Sequence, residues 1–198
     1  MPEFSSRDPL DPAFWDERFA RDFTPWDLKG VPQALHDFVA RGGPARTVLI
    51  PGCGNGYELV CMLEAGWDAT AIDFSPVAVR RARAQMGNWS ARVVLADFFA
   101  WQSPRPLDLT YERAFLCAMP PALWPRVAAR WAQLLAPGGE LAGFFFFGSS
   151  PKGPPFGIAR AALDELLAPA FVLEEEGEVV DSLPVFGGQE RWMRWRRR

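Results

Sequence analysis

Val48-Leu49-Ile50-Pro51-Gly52-Cys53-Gly54-Asn55-Gly56-Tyr57-Glu58 is the stretch on which the fold turns. Three branched apolar residues in a row read as a buried strand, and the alternate glycines after it read as a tight turn where a ligand can approach the backbone. The next apolar run, Ala69-Thr70-Ala71-Ile72, ends in Asp73. In a strand-helix-strand unit that is the place where an acidic side chain accepts hydrogen bonds from ribose hydroxyls. The glycines alone also fit an ordinary strand-to-helix turn. The aspartate after a second strand points to an adenosine-type ligand.

The glycine spacing selects among such ligands. Gly-x-Gly-x-Gly displaces the third glycine of the dinucleotide fingerprint, which lets a helix begin close to a pyrophosphate, so a phosphate cradle is not indicated. Glu58 near the helix N-terminus would oppose a pyrophosphate and tolerate a cationic or zwitterionic ligand. S-adenosylmethionine fits these features better than a nicotinamide cofactor.

Composition bounds the rest. With 198 residues, 49% hydrophobic and 23% charged, the chain supports one well-buried domain, and a monomer is the expectation. A net charge of -3 gives no general attraction to nucleic acid, although Arg191-Trp192-Met193-Arg194-Trp195-Arg196-Arg197-Arg198 is locally basic. That segment reads as an edge or final strand with a solvated end, with an RNA-binding tail as the alternative. Cys53, Cys61 and Cys117 are too few and too irregularly spaced for a disulfide framework or a zinc site, which places the chain in a reducing compartment, by default the cytoplasm. Met1 to Asp11 does not read as a signal peptide, and no apolar run reaches the length of a membrane span. His36 is the sole histidine and Lys29 and Lys152 the only lysines, so histidine-ligated metals and Schiff-base chemistry have little to draw on.

In chain order, Asp11-Pro12 opens a capped helix that carries Trp15 and Phe19 on one face, with Phe14 a further candidate for it, and a loop holding Trp26 leads to a second helix from about Pro32 to Arg41. Residues 1–44 read as N-terminal decoration or as a helical lid over the ligand. From Arg46 the pattern alternates: strands at Thr47–Ile50, Ala69–Ile72, Arg92–Leu95 and within Leu107–Phe115, with helices at Tyr57–Ala65 and from Ser75-Pro76 to Gln85. A helix from Ala122 to Leu135 and a turn at Pro137-Gly138-Gly139 precede a strand at Glu140–Phe147, too apolar at Phe144-Phe145-Phe146-Phe147 for an exposed face and therefore central. After a loop at Gly148–Phe156, a helix at Ile158–Leu167 and strands at Ala170–Glu176 and Gln189–Arg196 complete the chain.

Taken together, the motifs resemble the class I S-adenosylmethionine-dependent methyltransferases, and within them the thiopurine methyltransferase family with its halide/thiol methyltransferase relatives. Thr24-Pro25-Trp26-Asp27, Pro51-Gly52-Cys53-Gly54-Asn55-Gly56, Gly153-Pro154-Pro155-Phe156 and the ending Glu190-Arg191-Trp192 to Arg197 carry the resemblance over nearly the whole chain. It implies a Rossmann-like α/β fold with a mostly parallel seven-stranded sheet, an antiparallel C-terminal strand and helices on both faces. It also implies S-adenosyl-L-methionine as cofactor, S-adenosyl-L-homocysteine as product, and a small-molecule methyl acceptor. By position, Gly52, Cys53 and Gly54 would pack against the methionyl part, Asp73 with Phe74 would bind at the ribose, and Asp97 and Phe98 would hold the adenine. Trp15, Phe19 and Trp26 match aromatic positions around the cofactor and transferred methyl. Phe19 departs from the tryptophan common in the halide/thiol branch. Arg113 matches an arginine near the substrate in the thiopurine enzymes, while Phe115 to Met119 looks like the halide/thiol enzymes, so both branches stay open.

The reaction implied is in-line displacement by a soft nucleophile such as a thiolate, thiopurine sulfur, halide or hydrosulfide, which needs no protein base. A dry site strips water from the anion and favours the transition state, in which opposite charges cancel. Arg113 would lower a thiol's pKa, or would serve as a surface ion-pair partner of Glu112 or a neighbouring acid. Met119, Pro154, Pro155, Phe156, Phe186 and Trp26 would close the acceptor pocket. Cys53 and Cys117 read as buried small residues. Small-molecule O- or N-methylation and a non-catalytic cofactor-binding module are the competing readings.

Overall fold

Val48, Leu49 and Ile50 are buried in β1 (Thr47–Pro51), which lies between two parallel neighbours, β2 (Asp68–Asp73) and β4 (Leu107–Arg113). The computed structural model describes residues 3–148 and 152–198, so part of the expected loop at Gly148–Phe156, namely Ser149–Pro151, lies outside the described residues. β3 (Val93–Leu95) extends the sheet beyond β2, and β5 (Leu135–Phe146) extends it beyond β4, all parallel. β7 (Glu190–Arg197) then pairs antiparallel with both β5 and β6 (Phe171–Glu178), giving the order β3-β2-β1-β4-β5-β7-β6.

Period-two alternation distributes the strand side chains between two cores. Val48, Ile50, Leu109, Ala142, Phe144 and Trp192 face one side with α2 (Gln33–Ala40), α3 (Tyr57–Glu64) and α4 (Pro76–Gln85). Leu49, Ile72, Leu141, Phe145, Met193 and Trp195 face the other with α5 (Trp124–Leu134) and α6 (Arg160–Leu167). No helix among the described residues is long and apolar enough to cross a membrane.

Several expectations shift in detail. β7 is a final strand but not an edge, because β6 folds outside it. Its arginines are matched across the sheet: Arg194 pairs with Glu140 at 2.5 Å and Glu174 at 2.9 Å, and Arg196 with Glu174. The Pro137-Gly138-Gly139 turn falls inside the span of β5, since Leu135 already pairs with Leu107 and the register shifts before Leu109 meets Glu140. α6 begins at Arg160, because Ile158 instead bridges Phe147. α5 begins at Trp124, after a separate 3-10 turn at Pro121–Leu123.

Within residues 1–44 two roles separate. α2 buries Leu35 and Phe38 in the main core. α1 (Pro12–Ala20) instead lies on α4: Asp16 accepts from Ser75 Oγ at 2.5 Å and from Val77 N at 3.0 Å, and Arg81 reaches the Phe19 carbonyl and Asp22. α1 and the loop after it thus attach to α4, while α2 belongs to the main core.

Candidate active site

The chain order of the sheet reverses between β1 and β4, and such a point opens a crevice at the carboxyl ends of the strands. The glycine turn stands at its edge. Gly52, Gly54 and Gly56 have φ of +61°, +52° and +75°, a left-handed conformation that costs other residues about 1–2 kcal/mol each. Space matters as well: a Cβ on Gly52 would lie 2.7 Å from Cδ2 of Phe115, and one on Gly54 would lie 3.5 Å from Cζ of Phe19. Asp73, at the end of β2, accepts from Gly54 N at 3.1 Å and Ser75 N at 2.9 Å, which ties the turn to the neighbouring strand. Burial pushes its carboxyl up to about 6 despite these donors.

Aromatic rings cover the turn. Trp26 meets Trp15 edge-on at 5.4 Å and Phe19 at 6.0 Å between centroids, and Trp15 Nε1 is fixed by the Pro9 carbonyl at 2.8 Å. Asp27, next to Trp26, accepts from Asn55 Nδ2 at 2.5 Å, joining this roof to the glycine turn below.

Roof and strand ends enclose one cleft of about 880 Å³, and it is lined by Trp15, Phe19, Trp26, Gly52, Cys53, Gly54, Asp73, Phe74, Asp97, Phe98, Arg113, Met119, Pro154, Pro155, Phe156 and Phe186. Every residue singled out from the sequence for a site thus faces one space. Asp97 is exposed and accepts from Phe99 N at 2.7 Å, while Phe98 is buried against Phe115 with centroids 4.9 Å apart. Backbone pairing of Phe156 N with the Cys117 carbonyl at 2.7 Å holds the Gly153–Phe156 loop against the turn after β4. Cys53 and Cys117 are buried free thiols, and burial pushes both well above the usual thiol range.

Arg113 does not pair with Glu112. Its Nη1 meets Glu190 Oε1 at 2.5 Å, with side chains only 10% and 2% exposed, so this is an interior ion pair and not a surface one. The guanidinium sits 4.5 Å from the Phe144 ring centroid and 5.6 Å from that of Phe186. Ser182 Oγ donates to the second Glu190 oxygen at 2.7 Å. Among the described residues the other Arg113 donors have no acceptor, and the side chain lines the cleft. Glu112 instead turns inward, accepting from Phe115 N at 3.1 Å and Leu116 N at 3.2 Å, and burial pushes it up to about 8.

Sequence reasoning missed Asp16, Asp27, Asn55 and Glu190 as site-shaping groups. Each acts through a partner distant in sequence; Asp27, Asn55 and Glu190 fall within the quoted motifs, but nothing local there specifies the partner. Glu58 was expected only near a helix end, yet it lines the cleft at 9% exposure with its carboxyl pushed up to about 7 by burial. Among the described residues no group of histidine, cysteine and carboxylate side chains could hold a metal. The open glycine turn, an acidic strand end and aromatic walls fit an adenosyl sulfonium, and the carboxylates beside the turn do not fit a pyrophosphate.

Comparison with known proteins agrees with this geometry. The chain is 30% identical over 192 residues to probable thiol methyltransferase 2 of Arabidopsis thaliana, covering 92% of this chain and 84% of that protein. It is 26% identical over 175 residues to thiopurine S-methyltransferase of Vibrio cholerae, covering 79% and 80%. Among solved structures, the Burkholderia thailandensis 1,6-didemethyltoxoflavin-N1-methyltransferase, with 1,6-didemethyltoxoflavin and S-adenosylhomocysteine bound, superposes with a TM-score of 0.77 at 20% identity over 99% of this chain and 93% of that one. The thiopurine S-methyltransferase family profile matches residues 10–198, and on that match the chain belongs to the thiopurine S-methyltransferase family.

Proposed function

We propose that the acceptor is a small soft nucleophile, a thiol or thiopurine sulfur or a halide or hydrosulfide anion, methylated in the cleft above β1 and β4. S-adenosylmethionine-dependent methyl transfer is the reaction of the family, and the bound cofactor supplies the methyl group on a sulfonium. The finer reading rests on one observation. Arg113, whose remaining donors have no acceptor among the described residues, stands among apolar walls that include Met119, Pro154, Pro155, Phe156 and Phe186. Such a setting draws in an anion or polarisable sulfur and excludes water from it, which raises nucleophilicity without a base.

The other roles follow position. Asp97 and Phe98 take the adenine, Asp73 and Phe74 the ribose, and Gly52, Cys53 and Gly54 leave room for the methionyl chain. Trp26 or Trp15 presents its ring face to the sulfonium, where a cation-π contact is worth about 1 kcal/mol, less than the gain from alignment. Residues 1–44 supply the lid through α1 and its following loop.

Product analysis with hydrosulfide, aryl thiols, thiopurines, iodide, selenium and tellurium oxyanions, a phenol and an amine tests the assignment. Methylated sulfur, selenium, tellurium or iodide products support it. Turnover confined to the phenol or amine would replace it with O- or N-methylation, and cofactor binding without any product would leave a non-catalytic module.

A further inference from the structure

Two arginines of this chain hold their glutamates differently. Arg41, on the surface, closes a two-bond fork with Glu175, Nη1 to Oε2 at 2.6 Å and Nη2 to Oε1 at 2.7 Å. That fork is the geometry a guanidinium and a carboxylate favour. Arg113 makes a single bond to Glu190, whose second oxygen is taken by Ser182 Oγ at 2.7 Å. Glu190 is buried, so both of its oxygens need donors from the protein.

Ser182 stands in the loop between β6 and β7, and that loop has anchors of its own. Asp181 accepts from Gln33 N at the start of α2 at 2.8 Å, and the turn Pro184–Phe186 buries Phe186 against Phe146 with centroids 5.4 Å apart. Among the described residues the Ser182 hydroxyl bonds Glu190 alone. The groups that share the field of Arg113 lie on three elements: Glu190 on β7, Glu58 on α3, and Tyr111, Glu112 and Cys117 on β4 and the turn after it. Of these, only Glu190 accepts a hydrogen bond from the guanidinium among the described residues.

We propose that Ser182 is a positioning residue: by occupying one oxygen of Glu190 it keeps Arg113 from closing the fork, so the rest of the guanidinium stays turned to the acceptor. The assignment rests on the acceptor reading above and adds the group that sets the arginine for it. Without the hydroxyl, the bare Glu190 oxygen draws a second N–H from Arg113, whose remaining donors have no acceptor among the described residues. The cation then turns from the cleft, and a bound thiol loses part of the field that favours its thiolate. An acceptor that arrives ionised loses less.

Single-turnover rates of the full chain at saturating acceptor, followed against pH, test this with two thiols: benzyl thiol, mostly protonated, and 4-nitrothiophenol, ionised throughout. The ratio of the two rates cancels the titration of Glu58, Glu112 and other protein groups. In Ser182→Ala the pH at which the ratio reaches half its maximum should move up by about half a pH unit or more. Ser182→Thr, which keeps the hydroxyl, should restore the wild-type profile. Asp181→Ala, which frees the same loop from α2 and leaves Glu190 paired, should slow both thiols alike and leave the ratio in place. Ser182→Val, shaped like threonine without its hydroxyl, decides the matter if Ser182→Ala does not fold. An unmoved ratio in the variants lacking the hydroxyl, a threonine variant that stays shifted, or an equal shift in Asp181→Ala overturns the proposal. Wild-type protein that methylates only one of the thiols or neither overturns it as well; the acceptor reading then survives if any thiol, thiopurine, iodide or hydrosulfide is methylated, and falls if none is.

Discussion

Arg113 serves two purposes that a single substitution would confuse. Removing it leaves Glu190, 2% exposed, with Ser182 alone, and stripping one partner from a buried ion pair costs about 3–5 kcal/mol. We therefore expect Arg113→Ala to lower unfolding stability by roughly 3 kcal/mol in urea titrations, and Arg113→Ala/Glu190→Gln to recover a large part of that loss. Strictly additive losses would contradict the pairing. In the double variant, turnover of weakly acidic thiols should fall more than turnover of pre-ionised anions, and equal losses would exclude a role in thiol ionisation. Gly52→Ala makes a second test, because it combines φ of +61° with a Cβ 2.7 Å from Phe115. A loss of roughly 1–2 kcal/mol, or a Tm lower by about 3–6 °C, is expected, and an unchanged Tm would mean the turn relaxes freely. Asp73 stood out in the sequence because it ends an apolar run, whereas Asp97 was picked out only through the family resemblance. The role of Glu190 was not legible, since its partner is 77 residues away and nothing in the local sequence specifies the pairing.

At the scale of elements, strands and helices of the central sheet were readable from periodicity, and Ser75-Pro76 capped α4 as its sequence required, with Ser75 Oγ accepting from Ala78 N at 3.1 Å. What periodicity could not supply was the docking of α1. Asp16 reaches across 59 residues to Ser75 and acts as an extra acceptor at the start of α4. Asp16→Ala should cost about 1 kcal/mol, as loss of a helix cap does. By hydrogen exchange the lost protection should centre on α1 and the first turn of α4. Loss spread evenly over the sheet would show that α1 is part of the global folding unit and not a separately attached roof. The interior place of β7 was likewise hidden, because alternating Arg and Trp fits an edge and an interior strand equally until the glutamates of β5 and β6 are set beside it.

For the molecule as a whole, three buried carboxyls, Asp73, Glu58 and Glu112, make stability depend on pH. Burial raises Asp73 to about 6, Glu58 to about 7 and Glu112 to about 8 in the folded chain. A raised folded-state value favours the protonated form, so this contribution is complete below the ordinary carboxyl range and is lost as pH climbs through 6 to 8. Ligand-free protein should accordingly show a falling urea midpoint across that window, with a shallower fall in Glu112→Gln; a midpoint that rises there would contradict these burials. The organising feature remains the crevice between β1 and β4, with glycines below and aromatic rings above. A crystal structure of the complex with S-adenosylhomocysteine tests it most directly. The ribose should meet Asp73 and the adenine Phe98, beneath Trp15 and Trp26; a ligand bound outside this cleft, or an adenine nucleotide with phosphates in the glycine turn, would contradict the account.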